Sequence, residues 1–225
     1  MFSGLKKAVP AKLKRSLRGI VQNRAFALQA QKLRPGTAPG RNQLAELVET
    51  WDNDGFTADV EYLQKVCEFA AATPGPVLEC GSGLTTVLLS ILAGQRGVNI
   101  CALEHIADWR NRQQKILQNS PSPGTRVELC RLIPYEGFDW YELPREFPDQ
   151  FRLVICDGPP GNTRGGRYGF FPVCGRRLSA DCTILLDDAE RSEERSVVHR
   201  WSNEFGAIAK MVETGHGAFA EIRLR

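Results

Sequence analysis

The chain of 225 residues is long enough for one α/β domain with an appended segment, and too short for two full domains to be expected. Hydrophobic residues make up 42% of it and charged residues 24%, which argues against general disorder. The net charge of +3 hides an asymmetry, because residues 1–45 carry ten Lys and Arg and no acid. The rest of the chain then has 19 basic and 26 acidic residues.

Residues 1–40 are interpreted as a basic leader and linker that precede a domain at 41–225. Apolar residues recur at every fourth position of the leader, which predicts a basic amphipathic helix: Leu5, Val9, Leu13, Leu17 and Val21. Two Pro and two Gly within residues 35–40 predict the linker.

The leader's partner stays open at this point. Residues 1–34 suit contact with an anionic membrane surface, while nucleic acid is a less favoured partner. The lack of acids is also typical of an organellar targeting peptide. A further alternative is that the helix packs on its own domain or on a second subunit of a homodimer.

Two observations favour a cytoplasmic protein, held at a membrane periphery if the leader binds one. No apolar run approaches the roughly 18 residues of a membrane-spanning helix, and the N-terminus lacks the uninterrupted apolar region of a secretory signal. The seven cysteines form no CxxC pair and have no closely spaced His partners, which predicts reduced, buried thiols.

Strand and helix patterns alternate from Val77 onward. Before it, helical patterns are expected to end near Trp51 and Ala72, the second capped by Thr57 or Asp59. Further strands are predicted at 98–103, 126–132, 151–156, 182–186, 207–212 and 218–224, with helices at 107–117 and 192–205. This order predicts an α/β, doubly wound (Rossmann-like), seven-stranded and mostly parallel sheet that closes with a C-terminal antiparallel hairpin.

Acidic residues stand where the predicted parallel strands end. Glu79 and Glu104 follow the first two strands, Asp157 follows the strand at 151–156, and Asp187 and Asp188 follow the strand at 182–186. Ligands of doubly wound sheets bind beyond the carboxyl ends of the strands. Since clustered carboxylates repel one another without a cationic or hydrogen-bonding ligand, this pattern favours a binding site.

The turn after the first strand carries two glycines, Gly81 and Gly83, which let backbone N–H groups approach a cofactor closely. Thr86 stands where a dinucleotide fingerprint has its third glycine, so the pyrophosphate turn is incomplete. A cationic cofactor suits an acidic site better than a pyrophosphate does. Glu104 can accept hydrogen bonds from the ribose of either kind of cofactor. An NAD-dependent oxidoreductase is therefore the alternative enzyme.

The segments ECGSG, LEH, FDWY, CDGPPG and LLDDAER, in this order within residues 43–225, resemble those of class I S-adenosylmethionine-dependent methyltransferases. They are most similar to a bacterial-type subgroup tied to small-molecule or glycan modification. The resemblance implies methyl transfer from S-adenosylmethionine, with a hydroxyl oxygen of a small molecule or glycan as the expected acceptor. The cofactor-binding residues that we assign on this basis are Glu79, Gly81, Ser82, Gly83, Glu104, His105, Asp139, Trp140 and Asp157.

Within that assignment, Gly81, Ser82 and Gly83 border the methionine part of the cofactor, with Glu79 near its ammonium group. Glu104 binds the ribose hydroxyls. Asp139 or Trp140 lies near the adenine.

Asp157, Asp187 and Asp188 are also similar to the acidic metal ligands of the catechol O-methyltransferase family, where a divalent ion acidifies the acceptor hydroxyl. The resemblance therefore allows Mg²⁺ as a second cofactor. The sequence departs from that family at Pro160, where a catalytic lysine would stand, and at Asp188, where Asn is typical. The alternative is that Asp157 caps the Gly/Pro turn and Asp188 caps the following helix.

Asp157 and His105 are the catalytic candidates. His105 either acts as a base or covers the adenosine edge. Arg164, Arg167 and Tyr168 lie in a Gly-rich loop, where they either bind an anionic or hydroxylated acceptor or remain solvated. A different class of function also stays open, in which a catalytically silent cofactor fold is attached to a membrane or nucleic acid by its basic leader.

Overall fold

The computed structural model describes residues 24–51, 58–118 and 122–225. The predicted leader helix from Leu5 to Val21 and the candidate cap Thr57 therefore lie outside the described residues. The helices are α1 (residues 24–30), α2 (Arg41–Thr50), α3 (Val60–Ala72), α4 (Leu84–Leu92), α5 (Ala107–Leu117), α6 (Phe170–Cys174) and α7 (Ser192–Phe205). The strands are β1 (Val77–Cys80), β2 (Ile100–Glu104), β3 (Thr125–Leu129), β4 (Leu132–Pro134), β5 (Asp139–Tyr141), β6 (Phe151–Cys156), β7 (Leu178–Leu186), β8 (Ile208–Glu213) and β9 (Ala218–Arg223).

Seven strands form one sheet in the order β3-β2-β1-β6-β7-β9-β8. The first five are parallel, while β9 runs antiparallel to both β7 and β8. The predicted fold class is therefore confirmed. Central strand β1 is buried at all four positions, as expected for a parallel strand with helices on both faces.

The register brings the acidic strand ends to one edge of the sheet. Cys80 of β1 pairs with Leu103 of β2 on one side and with Cys156 of β6 on the other. Leu186 of β7 pairs with Cys156 as well. The residues that follow these positions thus leave the sheet side by side.

The predicted strand at 126–132 is wrong in its extent. The main-sheet strand ends at Leu129, and Leu132–Pro134 instead pairs with Asp139–Tyr141 in a separate two-stranded sheet. The Tyr135 N–H donates to the Phe138 carbonyl across the turn of this hairpin, at 2.8 Å. The strand predicted at 182–186 begins earlier, at Leu178.

Other local predictions agree with the structure. Helices α5 and α7 and strand β6 have the predicted bounds, and the Asp59 side chain caps α3 by accepting from the Glu61 N–H at 2.9 Å. All seven cysteines are free and buried. Across the described ranges, no helix has both the length and the apolar character needed to cross a membrane.

The hydrophobic core reaches upstream of residue 41. Phe26 is 6% exposed and Leu33 is 8% exposed, and both join the core cluster that contains Trp51. The Phe26 and Trp51 ring centroids are 4.9 Å apart. The Gly36 N–H donates to the Leu92 carbonyl at 2.9 Å, so the segment before α2 is joined to the domain by backbone as well as side chains.

Candidate active site

A cavity of about 1250 Å³ opens beyond the carboxyl ends of the parallel strands. It brings together most of the residues predicted from the strand ends: Gly81, Ser82, Glu104, His105, Asp157, Asp187 and Asp188. Its lining also includes Tyr62, Trp109, Tyr141, Arg167, Glu190, His216 and Phe219. Because it is concave and several polar groups converge in it, the cavity is our candidate active site.

The glycine turn is shaped by its own residues. Gly81 has a φ of +91°, and a Cβ there would lie 3.3 Å from the backbone nitrogen of Gly158. The Gly83 N–H donates to Thr86 Oγ1 at 2.9 Å, so the residue that replaces the third glycine of a dinucleotide fingerprint caps the start of α4. The Trp109 indole donates to the Ser82 carbonyl at 2.6 Å and joins α5 to the turn.

Glu79 is buried at 1% exposure and is not part of the cavity lining. The Thr85 hydroxyl donates to one of its carboxylate oxygens, and the other oxygen has no hydrogen-bond partner. Burial raises the pKa of Glu79 to about 8, although hydrogen bonds from Thr85 and Thr86 lower it in part. Buried polar atoms are normally hydrogen-bonded, and this oxygen of Glu79 lacks a hydrogen-bond partner.

Glu104 is held as a carboxylate at the end of β2. One oxygen accepts from the Ser82 hydroxyl at 2.6 Å and the other from the Ile106 N–H at 2.8 Å. His105 Nδ1 lies 3.3 Å from the same carboxylate. Burial raises the pKa of Glu104, but these interactions with His105, Ser82 and Ile106 outweigh it, so that the net shift is downward.

The structure does not bring Asp139 or Trp140 to the cavity. Asp139 pairs with Arg164, whose Nη2 lies 2.6 Å from Oδ1 of Asp139, and Trp140 is fully buried in the core. Tyr141 lines the cavity instead, with its ring centroid 6.2 Å from that of His105 and its hydroxyl unpaired. Successive side chains of a strand point to opposite faces. Trp140 therefore lies in the core, and its neighbour Tyr141 faces the cavity.

Four carboxylates surround one buried arginine in what we call the acidic rim, formed by Asp157, Asp187, Asp188 and Glu194. Arg167 is 2% exposed. Its Nη2 lies 3.2 Å from Asp157 Oδ1 and 3.0 Å from Asp188 Oδ2, while the Asp157 carbonyl accepts from it at 2.7 Å. Its Nη1 donates to the Asp187 carbonyl at 2.5 Å and lies 3.8 Å from Glu194 Oε1.

In this arrangement, the predicted metal ligands do not form a metal-binding group. In the part of the chain that the structure describes, no group of three or more His, Cys, Asp or Glu side chains is placed to hold a metal ion. The Arg167 guanidinium contacts both Asp157 and Asp188, and Arg191 lies 2.8 Å from the other oxygen of Asp188. These residues do not fit Mg²⁺, because fixed positive charges already occupy its carboxylate ligands.

The capping alternative is not observed either. Arg191, not Asp188, stands at the start of α7 and makes no side-chain cap. The Cys80 carbonyl accepts from the N–H groups of Asp157 and Gly158, at 3.1 and 2.7 Å. Asp157 thus uses its backbone for the turn and its side chain for Arg167.

Burial affects the pKa of Asp157 and of Asp187. It raises the pKa of Asp157, against a lowering by Arg167, and it raises the pKa of Asp187 well above its usual range, helped by the negative charges of Asp157 and Asp188. The Asp187 carboxylate accepts from the Asp188 N–H at 2.9 Å. Asp188 itself has a φ of +58°, an uncommon value for a residue with a side chain.

The Gly-rich loop contributes only one of its three candidates. Arg167 lines the cavity, whereas Arg164 is engaged with Asp139 and the Tyr168 hydroxyl donates to Glu204 at 2.5 Å. Sequence reasoning missed a second group on the far side of the cavity, where Thr214 donates to Asp59 Oδ2 at 2.8 Å beside His216. The capping position of Asp59 was a signal for one of them, whereas the predicted hairpin turn carried no signal that it would line the cavity.

Comparisons with known proteins bear on the fold. No protein-family model matches the chain, and a search of curated proteins finds no match. Among solved structures, cofactor-bound Rv0187 from MTB is 18% identical, with a TM-score of 0.61 over 98% of this chain and 99% of that one. An SAH-bound methyltransferase from Podospora anserina is 14% identical, with a TM-score of 0.59 over 98% and 100%.

An S-adenosylmethionine-dependent O-methyltransferase from Thermotoga maritima is 12% identical, with a TM-score of 0.58 over 83% of this chain and 72% of that one. These similarities extend over nearly the whole chain at low identity, so they bear on architecture. The chain has the Rossmann-like fold of S-adenosylmethionine-dependent methyltransferases.

Proposed function

We propose that this protein is an S-adenosylmethionine-dependent methyltransferase that methylates a hydroxyl oxygen of a small molecule or glycan. The observation that carries the proposal is the Glu104 carboxylate, which Ser82 and Ile106 hold in the cavity beside the Gly81 turn. Solved structures with this fold include an SAH-bound methyltransferase, cofactor-bound Rv0187 and an S-adenosylmethionine-dependent O-methyltransferase.

The residues of the cavity fit this cofactor. Glu104 is kept ionised and can accept two ribose hydroxyls, and the Gly81 turn leaves backbone groups open beside it. Glu79 is buried outside the cavity lining, and its assignment to the ammonium group of the cofactor rests on the family resemblance and on its one oxygen without a hydrogen-bond partner. A volume of about 1250 Å³ exceeds the roughly 300–1,000 Å³ of an ordinary ligand pocket and so allows an acceptor beside the cofactor.

The cofactor, when bound, supplies an electrophilic methyl group for in-line transfer. The protein then has to orient the acceptor and remove its hydroxyl proton. Asp157 and His105 both line the cavity and are our candidates for the base. Asp157 is paired with Arg167, and His105 Nδ1 lies 3.3 Å from a carboxylate oxygen of Glu104.

The test begins with binding. Calorimetric titration with S-adenosylhomocysteine is expected to give a specific complex, while NADH is not expected to bind. Preference for NADH would instead favour an oxidoreductase.

Methyl transfer from labelled cofactor should then be screened against phenolic, sugar and nucleic-acid acceptors, with Asp157→Asn and His105→Gln to identify the base. Loss of the alkaline or acidic limb of the pH–rate profile in one variant would assign that residue. Absence of turnover on every acceptor class would contradict the enzymatic proposal.

We also propose peripheral contact of residues 1–34 with an anionic membrane, because ten basic residues and no acid occur within residues 1–45. Vesicles of anionic lipid should retain the full chain in a sedimentation assay, whereas neutral vesicles should not. A variant with Lys6, Lys7, Lys12, Lys14 and Arg15 changed to Gln is expected to lose this retention. Retention by neutral vesicles to the same extent would contradict an electrostatic contact.

A further inference from the structure

Arg167 is the most completely enclosed charge of the candidate site. At 2% exposure, its guanidinium has exchanged water for two carbonyl oxygens and three carboxylates. Burial of an ion costs several kcal/mol unless its partners compensate closely. Because such burial is unfavourable, we expect Arg167 to have a role at the cavity.

The oxygen atoms around Arg167 are of the kind that a hard divalent cation binds. Its Nη2 contacts carboxylate oxygens of Asp157 and Asp188 and the Asp157 carbonyl, all at 2.7–3.2 Å. Carboxylate and carbonyl oxygens are the usual ligands of Mg²⁺ and Ca²⁺. One guanidinium nitrogen thus occupies the point where these oxygens converge.

The charge balance of the rim depends on this residue. Asp157, Asp187, Asp188 and Glu194 face Arg167, and Arg191 adds a second positive charge at Asp188. Arg191 is half exposed, while Arg167 is not. Without Arg167, Asp188 would keep its pairing with Arg191, but Asp157 and Glu194 would lose this ion pair.

We propose that Arg167 is a built-in cation of the acidic rim: it positions Asp157 and Asp188 in place of a divalent metal, and the site works without one. The statement about activity rests on the proposed methyltransferase function, but the statement about cation binding does not. Arg167 is a positioning residue here, since it acts on the cavity through the two aspartates.

The test exchanges the built-in cation for a soluble one. Arg167→Met keeps much of the side-chain volume and removes the charge. We expect wild-type protein to show no Mn²⁺ binding at the rim and no change in Tm with millimolar Mn²⁺ or EDTA. Folded R167M is expected to bind Mn²⁺, measured by calorimetry, and to gain several degrees in Tm through that binding.

The matched control is Arg164→Met, in the same loop. Arg164 pairs with Asp139 and with carbonyls of Tyr135 and Phe138, away from the rim, so its removal should create no Mn²⁺ site. Adding Asp188→Asn to R167M should abolish the new site. Folded R167M that binds no more Mn²⁺ than the control would overturn the proposal.

A second measurement tests the proposal even if R167M does not fold. Wild-type protein is titrated with Mn²⁺ beside Asp188→Asn, and methyl transfer is assayed with and without EDTA. Wild-type Mn²⁺ binding that D188N removes, or turnover that EDTA abolishes and Mg²⁺ restores, would overturn the proposal. If no acceptor is turned over, the function proposal fails, while the Mn²⁺ titrations still report on Arg167.

Discussion

Glu79 and Glu104 end neighbouring strands, yet the fold leaves them in different protonation states. Glu104 receives a hydroxyl, a backbone N–H and a nearby imidazole, and its pKa is lowered. Glu79 is more completely buried and keeps one oxygen unpaired, so its pKa rises to about 8. Burial raises the pKa of both carboxyl groups, and only at Glu104 do the surrounding donors outweigh it.

The raised pKa of Glu79 predicts a pH-dependent stability. The unfolded chain releases this proton around its ordinary pKa of 4.5, and the folded chain only near 8, so protonation stabilises the fold below pH 4.5. That contribution is lost as the pH rises from 4.5 through 8 and amounts to on the order of 5 kcal/mol. The Tm of the wild type should therefore fall relative to Glu79→Gln across this window. Parallel Tm curves for the two proteins would contradict the assignment.

A second residue-scale prediction concerns Glu104. Glu104→Gln keeps the shape of the side chain but removes the charge that would accept the ribose hydroxyls. Hydrogen bonds to a charged group are worth about 1.5–3 kcal/mol, so S-adenosylhomocysteine should bind roughly 10–100-fold more weakly in calorimetry. Glu142→Gln, an exposed carboxylate paired with Arg131, serves as the control and should bind as the wild type does. Equal affinity in E104Q would remove Glu104 from the ribose site.

At the scale of elements, the turn after β1 packs against the loop after β6. A Cβ at Gly158 would lie 3.0 Å from Gly81 Cα and 2.5 Å from the Tyr141 hydroxyl. The Cys80 carbonyl accepts N–H groups from Asp157 and Gly158. The ECGSG and CDGPPG segments, far apart in the chain, are therefore two sides of one backbone contact.

Two glycines of the same turn give a matched test of this contact. Gly81→Ala forces a side chain into a left-handed conformation and against Gly158, which should destabilise the protein by about 1–3 kcal/mol. Gly83 has a φ of −178°, and a Cβ there meets nothing within 4 Å. Gly83→Ala should therefore leave the free energy of unfolding nearly unchanged in urea titrations. Equal destabilisation of both variants would show that the turn is not the strained point.

At the scale of the whole molecule, Phe26 and Leu33, which precede α2, belong to the core. Phe26 and Leu33 pack in the cluster that also holds Trp51 and the buried residues of α3 and α4. Part of the hydrophobic core is therefore supplied by a segment that sequence patterns assign to a leader and linker. Deleting residues 1–40 would remove this packing together with the basic charge, so loss of function in that deletion would not isolate the leader's role.

The packing of α1 can be tested with two residues of one helix. Phe26→Ala should lower the free energy of unfolding by about 3 kcal/mol because it empties a buried site beside Trp51. Leu28 is 64% exposed, so Leu28→Ala should change it by less than about 0.5 kcal/mol. Urea titration of the two variants measures both. A small effect of F26A would mean that α1 is dispensable for stability.

The sequence by itself determined the order of strands and helices, the acidic strand ends and the glycine turn, because each depends on local propensity, periodicity and the chain direction of parallel strands. Glu104, Gly81 and Asp157 could be placed at the site for that reason. Only the tertiary structure decided that Tyr141 and not Trp140 reaches the cavity, since this depends on the register of the β4–β5 hairpin. It also decided that Arg167 enters the acidic rim, because that pairing joins a loop residue to the ends of two separate strands, a contact on which local pattern has no bearing.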